Sequence, residues 1–271
     1  MIGRIEGIVV PLVTPLAEDF RVCELSVQRL IESVRPHATA LLPALSSGEG
    51  GQLKGSQWST MVRYTVRYAN GLPVCPGVIV DTDDELMARS RLAADIGAAG
   101  ITVVVPPLDG TDTEAVIERF RRLSLASPLP LFLYHHGNEG DTDAVVQALS
   151  HLCQLPHVLG IKESSRRPEI VHALNQCALP CSVLQGWEDL LWQSPGADGH
   201  AVALANLEIG ICARMRSTPS EPVQHEIDRL CEHYRLFDDD WYASIKRELH
   251  RRGVLSTALT AGAMHATLGV A

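Results

Sequence analysis

VCPGVIVDTDDELMARSRLAADIGAAGITVVV, residues 74–105, holds two apolar runs with an amphipathic segment between them. Val74–Val80 and Gly100–Val105 are rich in β-branched residues and apolar on both faces, the pattern of strands buried in a parallel sheet. Between them, Leu86, Met87, Leu92, Ala93 and Ile96 fall on one side of a helix. Asp83, Asp84 and Glu85 suit the positive end of its dipole, and Gly97 suits its C-cap. The stretch reads as strand, helix, strand.

The pattern recurs along the chain. Further apolar runs lie at Gly7–Thr14, Ala40–Ser46, Pro130–His135, Val158–Lys162, Cys181–Gln185 and His200–Ala205, making eight with the two above. Helical patterns separate them, the one near Glu188–Gln193 being short. Eight strand–helix units of about 20–30 residues predict an α/β fold, a (β/α)8 TIM barrel, over residues 1–216. Residues 217–271 carry no strand signal and read as a short C-terminal helical region, with helices around Glu221–Tyr234, Asp239–Arg252 and Leu255–Leu268. A doubly wound open sheet would bring a GxGxxG turn after its first strand, and the chain has none.

Composition narrows the function. The chain has 271 residues, 46% of them hydrophobic and 20% charged, which excludes a disordered protein. Lys and Arg number 23 against 32 Asp and Glu; the net charge of -9 argues against a nucleic-acid scaffold. Seven scattered Cys form no CxxC pair, MIGRIEGIVV is not a signal peptide, and no run of about 18 apolar residues spans a membrane. We therefore expect a cytoplasmic protein with free thiols. His135 and His136 face opposite sides of a strand and no His/Cys cluster accompanies them, so no metal is expected.

A barrel places its chemistry at the carboxyl ends of its strands. Those ends carry Thr14, Ser46-Ser47-Gly48-Glu49, Tyr134-His135-His136, Lys162 and Gln185-Gly186. The chain has only three lysines, Lys54, Lys162 and Lys246. Lys162 ends an apolar strand, where desolvating an ammonium is costly and a neutral amine would be nucleophilic; the alternative is a snorkelling Lys paired with Glu163. Lys54 and Lys246 have polar sequence neighbours and read as solvated, as does Asp238-Asp239-Asp240, a helix cap. Tyr134 is either a proton-transfer group or a core phenol, and the Ser46–Glu49 turn either a carboxylate cradle or an ordinary cap.

Taken together, GIVVPLVTP, SSGE (Ser46–Glu49), LAADIGAAGITVVVPP, LPLFLYHHG, GIKES (Gly160–Ser164) and GADGHAVALAN (Gly196–Asn206) resemble, in order and spacing, the dihydrodipicolinate synthase / N-acetylneuraminate lyase family of pyruvate-dependent class I aldolases. The resemblance implies that Lys162 forms an imine with pyruvate or a related 2-oxo acid, with no other cofactor. It makes Tyr134 the proton relay and Ser46, Ser47 and Gly48 the holders of the donor carboxylate. Gly186 and Ala201 would line the pocket, and His136 and Glu139 would face the acceptor.

Three departures bear on activity. Leu45 replaces the family's first motif glycine, Pro107 and Leu108 replace an aromatic pair, and Glu139 stands nearest to where an arginine binds the acceptor carboxylate in the synthases. Glu139 would repel such a carboxylate by about 1 kcal/mol or more. The resemblance thus implies a carbon–carbon lyase joining or releasing a 2-oxo acid and an aldehyde, as a homo-oligomer (dimer or tetramer). The alternatives are a 4-hydroxy-tetrahydrodipicolinate synthase with an atypical acceptor site, or a barrel that binds without turnover.

Overall fold

The computed structural model describes residues 4–108 and 112–268. Eight strands among them alternate with helices: β1 (Gly7–Val10), α1 (Glu24–Val34), β2 (Ala38–Leu41), α2 (Gly55–Tyr68), β3 (Gly77–Val78), α3 (Asp83–Ile96), β4 (Ile101–Val104), α4 (Thr113–Ala126), β5 (Leu131–His135), α5 (Thr142–Cys153), β6 (Val158–Glu163), α6 (Pro168–Gln176), β7 (Ser182–Gln185), a 3-10 turn (Glu188–Leu190), β8 (Gly199–His200) and α7 (Ala205–Ser217). The strands pair in parallel in the order β2-β1-β8-β7-β6-β5-β4-β3. Leu41 bridges Val74 in parallel, and the Gly77 N–H donates to Pro43 at 2.8 Å, closing the sheet into a barrel. Val9, Leu42, Phe132, Leu184 and Ala201 fill its interior.

Local chemistry sets the element ends. The α3 segment begins where Thr82 accepts the Glu85 N–H at 3.2 Å and ends at Gly97, whose φ of +96° only glycine adopts cheaply. β1 and β2 are shorter than their apolar runs because Pro11 and Pro43 bring no N–H to the ladder. β8 is two residues rather than six: from Val202 onward the chain turns into α7.

The tail forms α8 (Glu221–Tyr234), α9 (Trp241–Arg251) and α10 (Ala261–Leu268). It shares one core with the barrel, Ile227, Cys231, Ile245 and Leu249 packing with Ile8, Leu30 and Ile31.

Lys246 corrects the sequence reading. It is fully buried on the α9 face that carries Ile245 and Leu249, and its ammonium pairs with the equally buried Glu49 carboxylate. The following Arg247 and Glu248 hid this; on a helix, burial is set by the face shared with residues three and four away, here Leu249, more than by the residues next in sequence. Lys246 Nζ also donates to the Leu259 carbonyl at 2.8 Å, and Glu49 Oε2 accepts the Ala261 N–H at 2.5 Å. Burial lowers the Lys246 pKa and the Glu49 charge opposes the fall.

Lys246→Met leaves a buried carboxylate without its cation and should cost about 3–5 kcal/mol in urea unfolding. The double variant Glu49→Gln/Lys246→Met should recover most of that loss; equal stability of single and double variants would contradict the pairing.

Candidate active site

β6 sends alternate side chains to opposite faces of the barrel wall. Glu163 points away from the mouth, where its carboxylate meets His135 Nδ1 at 3.0 Å and accepts the Ser165 N–H at 2.9 Å. Lys162 points the other way. It is 6% exposed and forms no ion pair among the described residues, so Glu163 is not its counter-ion. Tyr134 is its register partner on β5, and the ammonium lies 4.6 Å from the centre of the phenol ring. Gly186 makes room for both side chains of this strand end. A Cβ there would stand 2.8 Å from Lys162 Cε and 1.9 Å from Ser164 Oγ.

The turn after β2 approaches from across the mouth. Ala44 and Glu49, at its ends, have φ of 56° and 57°. The N–H groups of Ser46, Ser47 and Gly48 donate to no backbone carbonyl among the described residues. Ser46 Oγ reaches Tyr134 Oη at 3.4 Å, and Thr14 Oγ1 supports the turn from below through the Gly48 carbonyl at 2.7 Å.

A cavity of about 450 Å3 joins these groups. Ser46, Ser47, Tyr134, His136, Lys162 and Gly186 line it, whereas Gly48, Glu139 and Ala201 do not. Ala201 lies in the barrel interior below, and Ala203 takes the lining position. Glu139 is exposed, its carboxylate folded back over Gly137. Its charge raises the His136 pKa, but partial burial of the ring, with His135 and Lys162 nearby, lowers it on balance. Pro107 and Leu108 are also outside the lining, and residues 109–111 lie beyond the described set.

The sequence reading missed several lining residues. Ser164 Oγ is buried and has no hydrogen-bond partner among the described residues. Glu188 is buried, accepts the Leu204 N–H at 3.0 Å, and has its pKa raised chiefly by burial. Leu236, Phe237, Asp238 and Asp239, between α8 and α9, and Trp241, the first residue of α9, close one side. Asp238 and Asp239 therefore do not form a merely solvated cap; Asp238 pairs with Arg235 and both border the cavity. The Arg166 guanidinium stacks 4.1 Å from the Trp187 ring and 5.1 Å from Phe237, fastening that segment to the barrel. Glu188 and Trp187 were within reach of sequence, standing just past Gly186; the α8–α9 segment had no motif to betray it.

Among the described residues no group of three or more His, Cys, Asp or Glu could hold a metal ion, and no helix is long and apolar enough to cross a membrane.

Comparison with known proteins agrees with this architecture. Residues 4–262 match the model of the dihydrodipicolinate synthetase family. The 4-hydroxy-tetrahydrodipicolinate synthase of Gluconobacter oxydans is 25% identical over 264 residues, covering 94% of this chain and 89% of that protein. The structure of dihydrodipicolinate synthase from Bacteroides thetaiotaomicron superposes with a TM-score of 0.83 at 25% identity, over 96% of this chain and 93% of the other. The chloride-inhibited dihydrodipicolinate synthase of Acinetobacter baumannii, complexed with pyruvate, gives a TM-score of 0.79 at 24% identity, over 94% and 91%, a likeness of fold. The chain belongs to the dihydrodipicolinate synthetase family, whose members are pyruvate-dependent class I aldolases, carbon–carbon lyases.

Proposed function

We propose that the protein is an aldolase that forms a Schiff base between Lys162 and pyruvate or a close 2-oxo acid, and joins it to, or releases from it, an aldehyde without a carboxylate. The observation that carries this reading is the buried lysine, without a counter-ion among the described residues, facing a phenol and a two-serine turn in one cavity. An amine without a salt bridge is free to act as a nucleophile once neutral. Its lone pair attacks the keto carbon, the carbinolamine loses water, and the iminium left behind accepts the electron pair of the bond that breaks at C3.

The other groups divide the remaining work. The Ser46 and Ser47 hydroxyls, with the unengaged N–H groups of the turn, suit the donor carboxylate. Tyr134, within reach of Ser46, suits proton delivery to the departing oxygen. On the acceptor side the lining offers Ser164, His136 and carboxylates at Glu188, Asp238 and Asp239; Lys162 is the one Lys or Arg of the lining among the described residues. A second carboxylate would meet repulsion of about 1 kcal/mol from each of Glu188 and Asp239 in a partly solvated site, Asp238 being paired with Arg235. Hydroxylated neutral aldehydes fit this lining better than aspartate semialdehyde. The Gluconobacter relative's name supports the second reading, a 4-hydroxy-tetrahydrodipicolinate synthase. Assay with pyruvate and aspartate semialdehyde separates the two.

Borohydride treatment in the presence of pyruvate should add a pyruvate-derived mass to the peptide holding Lys162 and to no other lysine peptide. Absence of the adduct with any 2-oxo acid would leave a barrel that binds without turnover. Gly186→Ala should abolish trapping, since its methyl group displaces both Lys162 Cε and Ser164 Oγ; a variant that folds and traps normally would contradict the crowding.

A further inference from the structure

We propose that the Glu188 carboxylate is the base that removes the C3 proton of the iminium on Lys162, and the acid that returns it. The inference rests on the Schiff-base reading above. That chemistry moves a proton to the oxygen lost at C2 and, in a later step, takes one from carbon C3, and the second transfer asks for a base placed on the carbon side. Of the described titratable groups that line the cavity, Asp238 is paired with Arg235, Asp239 is exposed, and His136 is exposed with its ring tilted 47° to the Tyr134 ring at 5.0 Å. Tyr134 is already directed to Ser46 and the oxygen side. Glu188 remains, and it is 4% exposed.

Its position suits the role. Glu188 opens the 3-10 turn two residues after Gly186, where an added Cβ would stand 2.8 Å from Lys162 Cε, and the Lys162 charge acts on its carboxyl. The Leu204 N–H holds the carboxylate at Oε1, 3.0 Å away, and Gln224 Nε2 holds the Glu188 backbone carbonyl at 2.9 Å, anchoring side chain and main chain separately. Burial pushes its pKa up, which makes the carboxylate a stronger base.

The step balances. Glu188 takes one C3 proton; the C–H electron pair becomes the C2=C3 bond of the enamine, and the C=N pair moves onto the Lys162 nitrogen. Glu188 is then the carboxylic acid. In water this acid exchanges its proton, and reversal delivers a solvent proton to C3.

The test needs no acceptor aldehyde. Pyruvate is incubated with the full chain in D2O, and loss of its methyl protons is followed by NMR beside borohydride trapping. Wild type should trap and exchange. Glu188→Gln keeps an oxygen for the Leu204 N–H, so it should trap with undiminished yield and exchange about a hundredfold more slowly. Exchange reduced less than tenfold would overturn the proposal and leave Glu188 as an anchor for α7. Should Glu188→Gln fail to fold, Glu188→Ala, which also removes the carboxylate, decides by the same tenfold criterion, trapping again being retained. A wild type that traps but never exchanges would overturn this proposal alone; one that never traps removes the Schiff-base reading beneath it.

Discussion

Glu49 is where the active-site turn and the tail of the chain are joined. Its buried carboxylate holds the Lys246 ammonium on α9 and the N–H that starts α10, while three residues earlier Ser46 faces the cavity. A charge so buried is tolerated only when its pairing is complete, and here the partners come from parts of the chain about 200 residues away. The position of the serines, the seating of the last helices and the wall between α8 and α9 thus depend on one another. The C-terminal helical region is part of the site's frame.

The second organising fact is strand alternation on β6. Two adjacent ionisable residues, Lys162 and Glu163, would neutralise each other in solution. The pleat sends them to opposite faces, gives Glu163 to His135, and leaves the ammonium to an aromatic ring. The barrel wall is a charge separator, and a nucleophile needs its amine kept from a carboxylate.

Much of this was legible in the sequence because it is local or periodic. The strand–helix alternation, the caps of α3 and the apolar run ending at Lys162 all follow from residues close in sequence. What escaped was set by distance. Lys246 looked solvated because Arg247 and Glu248 follow it, yet its environment is made by Glu49 and residues 259–261. Glu139 entered through its place nearest the arginine position of the synthases, and its carboxylate lies against Gly137, outside the cavity lining. Asp238 and Asp239 carried no motif, and only the packing of α8 and α9 brings them to the mouth.

The scarcity of lysine has a practical consequence. Lys162 lies in the cavity, Lys246 is sealed in the core, and Lys54, at the start of α2, is exposed. Amine-directed acylation of the folded protein therefore meets one surface lysine side chain. A dye or tether coupled there would sit at a single known position, and the arginines that supply most of the positive surface would pass through the conjugation untouched.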